Sequence, residues 1–186
     1  MSGGHGGRGL LVAVVGPSGV GKDTLIAELA RARPDISVAQ RIITRAADAG
    51  GEDHQAVSDA LFDAKLAMGR FAFHWGAHGL RYAIPASIDA DLAQGRVVVF
   101  NGSRKALQGI AAAYPQLMVL MITAPPEMLA QRLRARGREG AREIAARLKR
   151  AELAPPAGAV VVMNDSTVAA AVAQMLAAIT RASQNA

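Results

Sequence analysis

The chain contains no cysteine among its 186 residues. That excludes a disulfide framework and any thiolate-ligated metal, and it fits a reducing compartment; we expect a cytoplasmic protein. No apolar run approaches the roughly 20 residues needed to span a bilayer. The opening stretch, Met1 to Gly9, lacks the long apolar segment of a secretory signal and reads as a disordered tail. Aromatic residues are scarce: four Phe, two Tyr and one Trp. None lies between Arg132 and Arg150, where seven Arg and one Lys face two Glu and the local excess of charge equals the +6 of the whole chain. A basic segment without rings does not suit base stacking on single-stranded nucleic acid, although contact through phosphates alone stays open. The segment suits a small anionic partner instead.

Apolar residues are abundant, at 51%, enough to build one core without metal or cross-links, and the length suits a single domain. Leu10 to Val15 is a continuous apolar, β-branched run, the pattern of a strand buried on both faces of a parallel sheet. Val97 to Phe100, Leu117 to Thr123 and Ala159 to Met163 read the same way. A further strand is expected near Ser37 to Ile43. Helical patterns fall between them at Lys22 to Arg31, Ser103 to Ala113, Pro126 to Arg136, Ala141 to Glu152 and Thr167 to Arg181. The alternation predicts an α/β fold with helices on both faces of the sheet. Two stretches break the rhythm. Residues 44 to 95 hold a short helix (Ser58 to Gly69) and aromatic strand-like pieces (Phe71 to Tyr82), and read as an inserted acceptor-binding lobe. Residues 136 to 142 are rich in arginine, interrupted by Gly137 and Gly140, and read as a mobile lid. The expectation is one domain over residues 10 to 186.

The sharpest motif is Gly16-Pro17-Ser18-Gly19-Val20-Gly21-Lys22. It lies between an apolar strand and a helix, the context in which G-x-x-x-x-G-K forms a phosphate-binding loop. Glycines let successive N–H groups curl inward toward phosphate oxygens, and the following helix adds its positive end. Lys22 is placed to reach the outer phosphates of ATP. One position departs from the motif. A hydroxyl residue that ligates Mg²⁺ is expected after the lysine, and here Asp23 precedes Thr24. A second departure accompanies it: the strand Val97 to Phe100 leads to neutral Asn101 where an aspartate near the metal is usual. Two readings follow. Either the metal-facing carboxylate has moved from the strand to Asp23, or Asp23 only favours the helix N-terminus.

With Thr44-Arg45, Gly51-Glu52, Ser58-x-x-x-Phe62, Gly79-x-x-Tyr82, Arg132-Leu133, Arg136-Gly137, Arg147-Leu148 and Asn164-Asp165, the loop resembles the guanylate kinases along nearly the whole chain from Leu10. The resemblance implies a P-loop NTPase of nucleoside monophosphate kinase type, with a five-stranded parallel sheet, an inserted acceptor lobe and an arginine-rich lid. Its departures are specific. Asp48 stands where that family has a second phosphate-clamping arginine, Phe73 where a glutamate reads the guanine edge, and His54 in place of a tyrosine. An apolar side chain cannot satisfy the N–H donors of guanine, and each buried unpaired donor costs about 1–3 kcal/mol. A closer resemblance is to the ribose 1,5-bisphosphate phosphokinase family of phosphonate degradation. It is carried by Gly16 to Asp23, Arg41-x-Ile43-Thr44-Arg45, Trp75-x-x-x-Gly79-Leu80-x-Tyr82, Asn101-Gly102-Ser103-Arg104 and Arg136-Gly137-Arg138-Glu139. It implies ATP-dependent conversion of ribose 1,5-bisphosphate to 5-phosphoribosyl 1-diphosphate plus ADP.

On this reading residues 16 to 22, Asp23 and Thr24 hold ATP with Mg²⁺, the metal at Asp23, and Asn164 lies near adenine by resemblance. Arg41, Thr44, Arg45 and Tyr82 take the acceptor with Asn101, Ser103 and Arg104, which follow a strand end where ligands of open sheets bind. Guanidinium groups suit phosphate because they grip it bidentately. Lys22, Arg136, Arg138 and Arg147 are the candidates for holding the migrating phosphoryl group; Arg147 edges the apolar stripe Ile144, Leu148 and Ala151. The partners implied are ATP and a small sugar phosphate, with no nucleic acid and no membrane; a homodimer is compatible with the sequence. Two competing readings are a guanylate or other nucleoside monophosphate kinase, and a non-catalytic guanylate-kinase-like interaction module. The intact lysine and glycines of the loop argue against the second.

Overall fold

The computed structural model describes residues 9–46, 53–135, 148 and 154–184. Strand β1 (Leu10–Val15) is buried along its whole length, and its two faces feed two different cores. Leu10, Val12 and Val14 join Leu25, Ile26 and Leu29 of helix α1 (Lys22–Ala32) together with Met175 and Ile179 of the last helix. Leu11, Ala13 and Val15 join Phe100, Ile110 and Tyr114 on the other side. Period-two side-chain alternation in a strand covered on both faces requires an unbroken apolar run, and the sequence supplies one.

The main sheet has five strands in the order β2-β7-β1-β8-β9: β2 (Ser37–Val38), β7 (Val97–Asn101), β1, β8 (Met118–Thr123) and β9 (Val160–Met163). All four pairings are parallel. Helices α4 (Leu107–Ala113), α5 (Pro126–Ala135) and α6 (Val168–Gln184) complete the connections, with a short 3-10 turn at Arg104–Ala106 ahead of α4. Among the described residues no helix is long and apolar enough to cross a membrane.

A second, four-stranded sheet in the order β4-β3-β6-β5 fills the interval between β2 and β7. It comprises β3 (Arg41–Ile43), β4 (His54–Ala56), β5 (Phe71–Ala77) and β6 (Leu80–Pro85). Helix α2 (Asp59–Ala67) covers one face, capped by Ser58 Oγ, which accepts from the Leu61 N–H at 3.2 Å. Its anchor is Phe62, wholly buried and 4.7 Å from the Phe71 ring. An irregularity between Phe71 and Phe73 turns these two residues to opposite faces: Phe71 joins Phe62, whereas Phe73 joins the main core.

Three expectations are corrected. The single strand expected over residues 37–43 is two strands in two sheets: Ala39 N–H closes the β2 pairing on Val99 O at 2.9 Å, after which the chain leaves for the second sheet. Helix α3 (Ile88–Ala93) was not anticipated; six residues with only Ile88 and Leu92 buried carry little periodic signal. Gly9, assigned to the tail, is buried, and its N–H donates to Leu92 O at 2.9 Å.

Tyr114 ties α3 to the end of α4: its hydroxyl donates to Asp89 Oδ1 at 2.8 Å, and its ring meets Phe73 edge-on at 5.7 Å. Burial, and then the hydrogen bond to Asp89, raise the phenol above its ordinary value of 10.0. A raised folded value means that the folded state keeps a proton that the unfolded state loses. The contribution is therefore complete below pH 10 and declines as pH rises beyond it. Urea midpoints measured at pH 8 and pH 10.5 should fall more in the wild type than in Tyr114→Phe, which has no phenol to ionise.

Candidate active site

The turn that follows β1 is fixed by backbone contact. At Gly16 (φ 152°) a Cβ atom would lie 2.4 Å from the carbonyl oxygen of Ile122 in β8, so the chain passes against β8 at a distance only glycine permits. At Gly21 (φ 94°) the chain enters α1 in the left-handed region, with no side chain capping the helix. The first-turn N–H groups of α1 thus have no side-chain cap and add to the loop amides, the arrangement that binds anions. Lys22 Nζ donates to Gly16 O at 3.0 Å and Pro17 O at 3.1 Å, which brings the ammonium back over the loop. Pro17, Gly19 and Val20 are buried; Ser18, Asp23 and Thr24 are exposed.

Beneath the loop lies a polar brace. Asn164, just past β9 and only 4% exposed, donates from Nδ2 to Val20 O at 2.8 Å. Arg132 of α5 donates from Nη2 to Asn164 O at 3.2 Å and from Nη1 to Val20 O at 3.5 Å. Asn164, expected beside adenine by resemblance, thus has its amide directed at the loop backbone. Arg132 was not among the expected site residues; its pairing with Leu133 in the family pattern was the only signal. A Cβ on Gly19 would touch Leu133, and one on Gly21 would lie 2.9 Å from Asn164 Nδ2.

On the open side Asn101 Nδ2 donates to Asp23 Oδ1 at 2.6 Å. Asn101 is 8% exposed, and its Oδ1 is buried without a partner. No cluster of three or more His, Cys, Asp or Glu side chains occurs among the described residues. What fits a hard cation here is an oxygen set: the exposed Asp23 carboxylate, the orphaned Asn101 carbonyl and the oxygens of a bound polyphosphate. Ser103 begins the 3-10 turn without making a side-chain cap bond, and Arg104 follows it.

The second sheet carries a cleft with an arginine in its lining. Thr44, Arg45, Ala46, Ala56, Val57 and Ser58 line an open cleft of about 330 Å³. Arg45 Nε and Nη2 are buried there without a partner. Thr44 is fixed by Arg81, whose N–H donates to Thr44 Oγ1 at 3.0 Å, and His54 Nε2 lies 3.5 Å from Arg45 O. Tyr82 stacks on Trp75 at 5.5 Å and 7°, with the Arg41 guanidinium 5.5 Å from the Tyr82 ring centre. Phe73 packs on Phe100 at 5.1 Å. The lid at 136–142, Arg147 with the rest of the expected helix at 141–152 apart from Leu148, and Asp48 fall outside the described residues; Leu148 is helical and packs against the main core. Asn164→Ala should strand the Val20 carbonyl and lower stability by about 1–3 kcal/mol. Urea denaturation would measure that loss, and calorimetric titration should show weakened ATP binding.

A family model described as "AAA domain" matches residues 11–156. The chain is 52% identical over 149 residues to the ribose 1,5-bisphosphate phosphokinase PhnN of Rhizobium etli, covering 78% of this chain and 76% of that protein. It is 49% identical over 178 residues to the bifunctional ribose 1,5-bisphosphokinase-thymidine phosphorylase of Azorhizobium caulinodans, covering 93% of this chain but only 26% of that larger protein. Among solved structures, guanylate kinase from Anaplasma phagocytophilum superposes with a TM-score of 0.69 at 16% identity, over 94% of this chain and 86% of that one. The last match speaks for the fold: a P-loop domain of guanylate-kinase type, with the five-stranded parallel sheet described above. The sequence matches go further, and by them the chain belongs to the ribose 1,5-bisphosphate phosphokinase (PhnN) family.

Proposed function

We propose that the protein transfers the γ-phosphoryl group of ATP to ribose 1,5-bisphosphate. An oxygen of the acceptor's 1-phosphate attacks the γ-phosphorus, a new P–O–P bond forms as the bond to ADP breaks, and the product is 5-phosphoribosyl 1-diphosphate. Such transfer needs positioning and positive charge more than covalent help. Identity near 50% to relatives of that name supports the reading. The observation on which it turns is Arg45: a guanidinium with two buried, unmatched N–H groups in a cleft of the second sheet. A buried unpaired cation is costly, and a phosphate dianion is the partner that removes the cost.

The loop 16–22 would hold the donor phosphates, with Lys22 swinging from the loop carbonyls to the outer ones. Mg²⁺ bound there supplies charge neutralisation between donor phosphates; Asp23 is the carboxylate of this chain that reaches it, steadied by Asn101. Thr24, exposed beside Asp23, borders the same donor pocket. Residues 41–95 form the acceptor lobe, with Arg45 and Thr44 at one phosphate, Arg41 and Tyr82 beside it, and Asn101, Ser103 and Arg104 at the facing strand end. Arg136 and Arg138 of the lid segment, with Arg147 of the helix expected after it, would gather charge on the migrating group. The protein works in the cytoplasm.

Two experiments test this. ADP release should be robust with ribose 1,5-bisphosphate and poor with GMP assayed side by side; the reverse order would overturn the assignment. In Arg45→Ala the acceptor KM should rise by about 10- to 100-fold, the worth of hydrogen bonds to a charged group, with the ATP KM nearly unchanged. For the metal, Mn²⁺ titrated by electron paramagnetic resonance with a non-hydrolysable ATP analogue should bind about tenfold more weakly to Asp23→Asn. Asp23→Ser/Asn101→Asp should recover part of that loss.

A further inference from the structure

The cleft-side face of the second sheet carries a continuous row of rings. Phe73 and Trp75 alternate along β5, Tyr82 faces Trp75 from β6, and Arg41 closes the row from β3. The Trp75 and Tyr82 planes differ by 7° with centroids 5.5 Å apart, and the Phe73 ring lies 6.4 Å from Trp75 at 25°. Strand order dictates this sequence, because β6 lies between β5 and β3. Tyr82 is also the register partner of Ile43, the residue before Thr44 and Arg45. The row therefore comes within one residue, along β3, of Thr44, which lines the cleft with Arg45.

An acceptor bearing a nucleobase must place a flat ring somewhere near its phosphate. Sandwiching a base needs about 7 Å between two ring planes, twice the ~3.5–4.0 Å contact distance, and 5.5 Å between centroids leaves no such gap. Each ring, half-buried, is already engaged by a neighbour: Trp75 by Tyr82 and Phe73, Tyr82 by Trp75 and Arg41, and Phe73 by Phe100. Nor do Trp75 and Phe73 offer an acceptor for the N–H donors on a base edge, since an indole only donates and a phenyl ring does neither.

We propose that Trp75 is a specificity-determining residue. Its indole fills, by stacking on Tyr82, the space a nucleobase would require, and it thereby restricts the acceptor site to base-free sugar phosphates. The same stack meets the Arg41 guanidinium, which lies 5.5 Å from the Tyr82 ring centre in a cation–π contact. This inference rests on the sugar-phosphate reading of the site and adds the group that enforces it.

The protein contains one tryptophan, so emission excited at 295 nm reports on Trp75 alone. In the wild-type chain, ribose 1,5-bisphosphate should change that emission saturably, and GMP at millimolar concentration should not. In Trp75→Ala and in the strand-compatible Trp75→Val, the ratio of kcat/KM for GMP to that for ribose 1,5-bisphosphate should rise by roughly 10- to 100-fold. Calorimetry should show GMP binding gained, while Trp75→Phe stays close to wild type. A purely structural tryptophan would instead lower turnover of both acceptors equally and leave the ratio fixed. The inference is overturned if saturating ribose 1,5-bisphosphate leaves wild-type emission unmoved, or if the ratio is unchanged in the soluble variants. Should both variants fail to fold, the wild-type titration decides alone. Wild-type protein that does not turn over ribose 1,5-bisphosphate at all refutes the functional reading itself, a result distinct from either of these.

Discussion

Everything at the nucleotide end of the molecule depends on how closely the chain after β1 passes β8. Because Gly16 sits where a Cβ would strike Ile122 O, the loop is held against β8 and curls on itself, with the Val20 N–H donating to Pro17 O. The parallel sheet then adds one component at the end of each neighbouring strand. β7 ends in Asn101, β8 presents the Ile122 carbonyl, and the chain leaving β9 supplies Asn164. Parallel strands deliver their carboxyl ends to the same edge of the sheet, so four segments far apart in sequence meet there without any long loop. The brace follows the same logic. Val20 O points away from the phosphate side and would be a buried acceptor without Asn164 Nδ2 and Arg132; with them, the loop keeps its curl before any ligand arrives.

Charge is arranged with comparable economy. Two carboxylates at the 2.6 Å separation of Asp23 and Asn101 could not both remain ionised. The amide at position 101 removes that conflict and adds a donor that orients Asp23. The displacement of the carboxylate from strand end to helix start is thus a paired change: each residue is unusual for a phosphate-binding loop, and each makes the other workable. On the acceptor side the balance is left open. Arg81, by contrast, is matched by Asp63 at 2.7 Å and lies over the Phe62 ring, so it is absorbed into the lobe's structure. Arg45, four residues beyond Arg41, has no such match at Nε and Nη2.

The main sheet was legible in the sequence because strands buried on both faces need unbroken apolar runs, and β1, β7 and β8 have them; β9 has such a run too, but at the sheet edge it buries only Val162. The loop was legible because its glycines and lysine sit at fixed offsets. The second sheet was legible only in outline. β3 and β4 are three residues each, too short for alternation to register, and the break between β2 and β3 depends on a bond from Ala39 to Val99 across 60 positions. Asn164 shows the limit most clearly. Resemblance alone placed it near adenine; the hydrogen bond it makes is to Val20, 144 residues away, and nothing local in either segment announces that pairing. Arg132 was hidden for a different reason: one arginine in a basic stretch looks like its neighbours until a carbonyl is found within its reach.

The same consideration of partners shows why replacing Phe73 alone would not create a guanine-reading site. Phe73 stands where guanylate kinases place a glutamate, which makes its substitution the obvious route to a base-reading site. Yet its ring rests on Phe100 and against Tyr114, and these contacts dock the second sheet on the main core. A carboxylate at that position would lie among rings with no described cation beside it, at a cost of several kcal/mol for an unpaired buried ion. It would also remove the wedge between the two sheets. Guanine recognition would therefore need the lobe to be re-seated as well as a new acceptor group. Phe73 thus belongs both to the aromatic row and to the docking of the second sheet on the main core, so its replacement disturbs the two together.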